Sequence, residues 1–420
     1  MPSLLLLAFS LLLFFPTSAS AAAANDKEIE ADTILLSTGK SKTGRVVYED
    51  DEVVILRNRS KTKEYERGDI DEVNSRVRNL DELLTRIDSQ GPDIMANGDA
   101  LAELAQFAAA SRLSGESEAL FLAALLANPE QAVALEALGC RERKGSWQYK
   151  KGSKWIRTSD LALAVENWKD RWKLRSVHYK VESNQPLGQA IKSLLDLERF
   201  YRTFFEIFQE ELHLLEPEES MDFMLHGDNG SYPETTGGRK GWFDSSDLLT
   251  HVNASSKPWR DTMFHEATHH MFHMTTVRAK GSKGSIPAWT DEGMAEMLAT
   301  GLGGEAGFVT FDIAAPDAKH FRTQTMADKP HDLSRTLNFK ADDYRSSVGP
   351  ALKYAQSYTL VWFVMYGNNG ERFPAFMNFM RSAYEGKSSA TQFQKDFEID
   401  SKDKFEEEWF ESVKTTSASL

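Results

Sequence analysis

The sequence predicts an α+β protein assembled from several parts, and three observations carry that prediction. Short β-branched runs separated by charged turns fill Thr33 to Val73, which reads as strands joined by hairpins. Apolar residues at helical spacing dominate 79–139 and return from Tyr354 to Val413. Between these regions lies DTMFHEATHHMFH, Asp261 to His273, with strand patterns before it and a second helical segment after it. A chain of 420 residues is long enough for two or three domains and a sizeable buried core.

In chain order, residues 1–24 carry an apolar run from Leu4 to Phe15, then Pro16 and small residues. This is the form of a secretory signal, with cleavage near Ala22 to Ala24, although no Lys or Arg precedes the run. The run is too short for a comfortable membrane span, so an exported protein, periplasmic or extracellular, is expected. Cys140 is the sole cysteine, which excludes an intrachain disulfide and a multi-cysteine metal site. Any metal must then be held by His and carboxylate. The 49 basic and 63 acidic residues give a net charge of -14, which argues against nucleic acid or an anionic membrane surface as partner.

Residues 31–77 read as a small β-barrel, SH3-like module, with Val46 to Tyr48 and Val53 to Leu56 flanking an acidic turn. It is expected to be a structural cap, or else a surface for a protein partner or for the cell wall. Residues 78–158 hold one tetratricopeptide-type helical hairpin, marked by Leu80, Leu83, Leu84 and Ile87 and then Leu101, Leu104, Ala105 and Ala108, with no repeat period of an array. Asn128 is the expected N-cap of its last helix, ahead of Pro129. A β-hairpin follows, in which Trp147 and Trp155 flank a Lys-Lys-Gly-Ser turn in the most basic segment of the chain. That segment reads as a solvated face before it reads as a docking site for an acidic partner.

The remaining domain spans 170–413. HYKVES and MDFMLH are expected strands, Gln189 to Phe208 an amphipathic helix, and Leu248 to Val252 a further strand. SYPETTGGRKGW reads as a Gly-rich connection bordering a cleft. Ser255 or Ser256 is placed to cap the next helix, with Pro258 in its first turn. Beyond Thr300, Phe308 to Asp312 reads as an edge ribbon. Tyr354 to Tyr366, Pro374 to Tyr384 and Lys404 to Val413 read as helices of a second lobe. The tail 414–420 is expected to be disordered.

The chemistry concentrates in His265, Glu266 and His269, in the order H-E-x-x-H. Residues four apart share a helical face, so both imidazoles can reach one metal ion while Glu266 points beside it. A zinc hydrolase needs three protein ligands and an open position. Metzincins continue with Gly and His at fixed offsets, where Phe272 and Thr275 stand here, so that branch is excluded. Downstream, IPAWTDEGMAEML sets Glu292 and Glu296 one helical turn apart. Glu292 can complete the ligand set, and Glu296 can accept a hydrogen bond from a ligand histidine. Imidazole and carboxylate also suit Mn or Co.

H-E-x-x-H followed by W-x-x-E-G-x-A-E, here His265 to His269 and Trp289 to Glu296, resembles the gluzincin metallopeptidases, the thermolysin-like and aminopeptidase-like peptidase MA group. The wider chain, with HYKVESNQPL and YAQSYTLVWF, is similar to an uncharacterised bacterial branch of that group. The resemblance implies a thermolysin-like zincin domain with a helical C-terminal lobe, Zn2+ on His265, His269 and Glu292, Glu266 as base, and Glu296 in support. It also implies a small residue, Gly293, where the ligand helix passes close to the site. The expected reaction is hydrolysis of peptide bonds, in which Glu266 takes a proton from the attacking water. A Tyr or His should stabilise the oxyanion, with Tyr354 of the Y-A-Q-[SA] segment first, then Tyr358, Tyr344 and His331. His270 and His273 share the motif helix but read as core-packed or solvated, and His251 stays unassigned. The reading from another class is a binding or assembly protein with a structural zinc staple. Such a protein has no need of Glu266.

Overall fold

The computed structural model describes residues 31–59, 61–163, 165, 167–233, 238–277, 284, 286–300, 302–303, 308–346 and 348–420. The signal sequence read at 1–24 lies outside them. Five antiparallel strands come first: β1 (Asp32–Leu36), β2 (Ser41–Glu49), β3 (Val53–Asn58), β4 (Lys61–Glu66) and β5 (Ile70–Asn74), in the order β4-β3-β2-β1-β5. β4 and β5 are the outer strands, so the expected barrel is an open sheet among the described residues. A register shift between Val46 and Tyr48 interrupts the alternation of β2, and Val46, Val47 and Tyr48 are all buried as a result. One face makes a small core of Ile34, Val46, Val54, Leu56, Ile70 and Val73. The other face sets Val47, Tyr48 and Ile55 against Leu215 of the following domain. There the Glu216 N–H donates to Val47 O at 2.9 Å, and Arg57 Nη1 donates to Glu216 O at 3.2 Å.

The helices α1 (Arg76–Ser89), α2 (Gly98–Ala110), α3 (Ser114–Ala127) and α4 (Ala132–Ala137) follow. The expected cap differs: Gln131 accepts from Ala134 N at the start of α4, and Asn128 closes α3. Strands β6 (Arg141–Arg143), β7 (Ser146–Lys151) and β8 (Lys154–Arg157) make a three-stranded antiparallel sheet, one strand more than a hairpin.

The next part of the chain is built on β9 (Trp172–Arg175), β10 (Tyr179–Ser183), α5 (Leu187–Leu212), β11 (Leu214–Leu215), β12 (Met221–His226), β13 (Gly241–Asp244) and β14 (Leu249–Asn253). Its five-stranded sheet runs β13-β14-β12-β10-β9, with β10, β12 and β14 parallel and the two edges antiparallel. α5 is the crossover that parallel β10 and β12 require. The motif helix α6 (Trp259–Met274) lies on the same face as α5, and Phe200 and Phe204 pack against Phe264 and Phe272 at ring distances of 5.6 and 5.2 Å. Pro258 itself is the N-cap of α6, while Ser255 Oγ donates to Asn229 and Asn253.

After β15 (Thr276–Val277), α7 (Ala288–Thr300) crosses α6, and β16 (Leu302–Gly303) pairs with β17 (Thr310–Phe311). The remaining helices are α8 (Ala318–Thr325), α9 (Leu333–Leu337), α10 (Ala341–Arg345), α11 (Pro350–Tyr366), α12 (Phe373–Tyr384), α13 (Ala390–Asp396) and α14 (Lys402–Ser419). The expected disordered tail is instead the last part of α14. Phe405, Trp409 and Val413 bury one side of that helix, and Leu420 O accepts from Arg322 Nη2 of α8 at 2.9 Å. No helix among the described residues is long and apolar enough to cross a membrane.

Four helices stand where one hairpin is expected, they share a core with the elements that follow, and α3 makes a close approach to the strand β9 in its first turn. A Cβ on Gly115 would meet Arg175 O at 2.3 Å, so only glycine permits this approach. Next to it the buried Glu116 carboxylate accepts from Val177 N at 2.7 Å. Burial, with the nearby Glu198 charge, pushes its carboxyl up from 4.5 to about 8. The folded form therefore holds this proton more tightly than the unfolded chain does. Stability is fully present below pH 4.5 and is lost as pH rises through about 8. Glu116→Gln keeps the acceptor and removes the titration, so its stability relative to the parent should grow across that window, read by thermal unfolding at several pH values.

Candidate metal centre

Two helices build the centre. α6 buries Met263, Phe264, Ala267 and Met271 in the core, which turns His265, Glu266 and His269 toward a cleft. α7 buries Gly293, Met294, Met297 and Leu298 and turns Asp291, Glu292 and Glu296 toward the same cleft. Gly293 lets α7 close on α11, since a Cβ there would meet Ser357 O at 2.5 Å. The cleft encloses about 890 Å³ and is bordered by β13 on one side and by α10 and α11 on another.

His265, His269 and Glu292 form a group of possible ligands whose donor atoms lie within 4.8 Å of one another. The two Nε2 atoms are 3.2 Å apart, and they stand 3.3 and 3.6 Å from Glu292 Oε2. A tetrahedral ion with bonds of about 2.0–2.1 Å spaces its ligand atoms about 3.3 Å apart, so these three atoms fit three corners. Glu292 Oε2 is buried and, among the described residues, makes no hydrogen bond, so it is available to an ion.

The far nitrogens lie at ion-pair distance from carboxylates behind them. His265 Nδ1 lies 3.3 Å from Glu296 Oε1, and His269 Nδ1 lies 2.9 Å from Asp291 Oδ1. In the neutral rings, protons on the Nδ1 atoms would leave both Nε2 lone pairs facing the common point. The support continues outward, because Glu296 Oε2 lies 2.9 Å from His320 Nε2 and His320 Nδ1 lies 2.5 Å from Asp317 Oδ2. Sequence reading had not singled out Asp291, Asp317 or His320. Asp291 carried a signal, being the neighbour of Glu292 on the ligand helix, whereas His320 sits on α8 at no recognisable spacing.

Electrostatics follows from this packing. Burial disfavours charge on His265, yet Glu292 and Glu296 outweigh it and raise its imidazole to about 10. Burial acts the same way on His269, and Asp291 and Glu292 raise it well above the usual histidine range. Burial also opposes the ionised form of Glu292, but His269 and His265 prevail and hold its carboxyl down to about 2. Glu266 differs: burial raises its carboxyl above the usual range despite the two imidazoles. Its Oε2 accepts from Phe243 N of β13 at 3.0 Å.

Of the residues read as oxyanion donors, Tyr354 stands at the cleft, its ring edge-on to His265 with centroids 6.1 Å apart. Burial, then Glu292, Glu296 and Glu266, push its hydroxyl pKa up, so it keeps its proton. Tyr344 also borders the cleft, but its hydroxyl is 2.5 Å from Ser357 Oγ. The Tyr358 hydroxyl accepts from Asp317 N at 2.8 Å, and its ring stacks on His320. His331 is held through its backbone by Gln356 and packs on Phe339. His270 is buried with Nδ1 3.0 Å from Thr250 Oγ1, and His273 is exposed beside Phe243. His251 stacks between Trp242 and His226.

Residues 260–387 match a family described as "Protein of unknown function (DUF1570)". The matched span carries the motif helix, Glu292, Glu296, His320 and Tyr354. No curated protein matches the chain.

Two outcomes are expected. Asp291→Asn and Glu296→Gln should each weaken zinc binding about 10- to 100-fold, read by competition with a chelator, whereas His265→Ala should abolish the stoichiometric site. Because His265 and His269 are both raised, zinc binding near pH 7 should release one proton from each. Calorimetry in buffers of different ionisation enthalpy counts those protons, and a count of zero would contradict the charge state described.

Proposed function

We propose that this protein is an exported, zinc-dependent metallopeptidase of the gluzincin type, with a thermolysin-like catalytic domain at 170–413. The observation that carries the reading is the tetrahedral spacing of two Nε2 atoms and Glu292 Oε2, with an unligating carboxylate, Glu266, on the same face of α6. His265, His269 and Glu292 are the residues that hold the ion. When bound, zinc polarises a peptide carbonyl and lowers the pKa of a water.

The rest is the work of the chain's own side chains. Phe243 N–H fixes one oxygen of Glu266, so the other is free to take the proton of the attacking water and pass it to the leaving amine. The raised pKa of Glu266 suits a group that must both accept and return a proton. Tyr354, kept protonated beside His265, is the donor to the developing oxyanion. Asp291 and Glu296 keep the imidazoles oriented through the cycle. Export rests on the apolar run from Leu4 to Phe15 and the small residues after Pro16.

The test is the zinc-loaded protein on denatured protein and peptide libraries, beside Glu266→Gln. The variant should keep one equivalent of zinc and lose about 10²- to 10⁴-fold in rate. Equal activity in the two proteins would sink the mechanism. Zinc binding with no hydrolysis in either would favour a structural staple.

A further inference from the structure

We infer that the cleft takes acidic peptide segments, with carboxylate side chains flanking the bond that is cut. This rests on the hydrolase reading and names its substrate class. The chain carries a net charge of -14, yet Arg239, Lys240, Lys319 and Arg345 all border this one cleft, and all four are exposed. Arg239 and Lys240 lead into β13 on one wall, whereas Lys319 opens α8 and Arg345 ends α10. A chain laid across the metal group therefore passes cations on both sides of it.

Among the described residues these cations have few acidic partners. Lys240 Nζ donates to a backbone oxygen, that of Lys257, at 3.1 Å. Arg345 has an acidic neighbour in Asp342 at 3.7 Å, but both side chains are exposed, and such a contact contributes little. Asp261 also borders the cleft, and burial raises its carboxyl above the usual range while Lys319 opposes the shift. The carboxylates of the lining, Asp261, Glu266, Asp291, Glu292 and Glu296, are all less exposed than these four cations. Among the described residues, the exposed charged side chains that border the cleft are thus these four cations, the first charges an arriving peptide meets. An exposed pair gives about a two- to fivefold preference, so two or more pairs engaged together give about tenfold.

The test uses three fluorogenic peptides with one central sequence, flanked on both sides by Glu, Gln or Lys. With the zinc-loaded full chain at low salt, kcat/KM should be at least about tenfold higher for the Glu peptide than for the Lys peptide. The gap should shrink as salt shortens the Debye length. Lys319→Glu combined with Arg345→Glu should reverse the order. Equal rates, or a preference for Lys, would overturn the inference. If no peptide is cut, the hydrolase reading is what has failed, and the substrate class is read separately by anisotropy of the same labelled peptides on Glu266→Gln. Tighter binding of the Glu peptide supports an acidic ligand, and equal binding overturns it.

Discussion

The centre depends on one charge constraint: α7 presents Asp291, Glu292 and Glu296 on a single face, opposite Glu266 of α6. Carboxylates gathered in a partly buried cleft repel one another and resist ionisation unless cations stand among them. His265, His269 and His320 are those cations while they carry protons, which is why the two histidines of the motif are raised and Glu292 is depressed. A divalent ion meets the same demand with more charge at one point. Protons and a divalent ion would thus compete for one set of side chains.

That arrangement is set by packing far from the ligands. α6 is seated by the stack of Phe200, Phe204, Phe264 and Phe272, and by Thr250 against His270. α7 is seated by Trp289, buried against Phe379 and Phe393, and by the close approach of Gly293 to α11. The last contact does two things at once. It fixes the height of Glu292 over α6, and it sets the helix that carries Tyr354 beside His265.

The site was legible in the sequence wherever its geometry is local. His265, Glu266 and His269 share a face because four residues make about one turn, and Glu292 with Glu296 repeat the rule on the next helix. The wider chain was legible as strands and helices for the same reason, since periods of two and 3.6 are written in short windows. What escaped depends on pairing across distance. β13 lies in a stretch with too little apolar alternation to read as a strand, and it is ordered by its register with β14. The last turns of α14 are polar, and they hold because the helix already packs on α8 and is tied by Arg322. The open first sheet has the strands of a barrel, but closure is a matter of pairing between β4 and β5, which no local pattern encodes.

β13 shows how an element missed at that level enters the chemistry. It is an edge strand, and its first residue presses on α6 so closely that a Cβ on Gly241 would meet Thr262 Cγ2 at 2.6 Å and Glu266 Cγ at 3.0 Å. Only a glycine lets the strand come so near, and nearness is what brings Phe243 N within 3.0 Å of Glu266 Oε2. The strand therefore restricts the rotation of the proposed base with a backbone donor, which has no rotamers of its own to lose. A side-chain donor in that place would carry its own conformational entropy and its own titration. Glu266 is aimed by the sheet and the candidate ligands by the helices, so the distance between the proposed base and the His265, His269 and Glu292 group is fixed by how β13 and α7 each dock on α6.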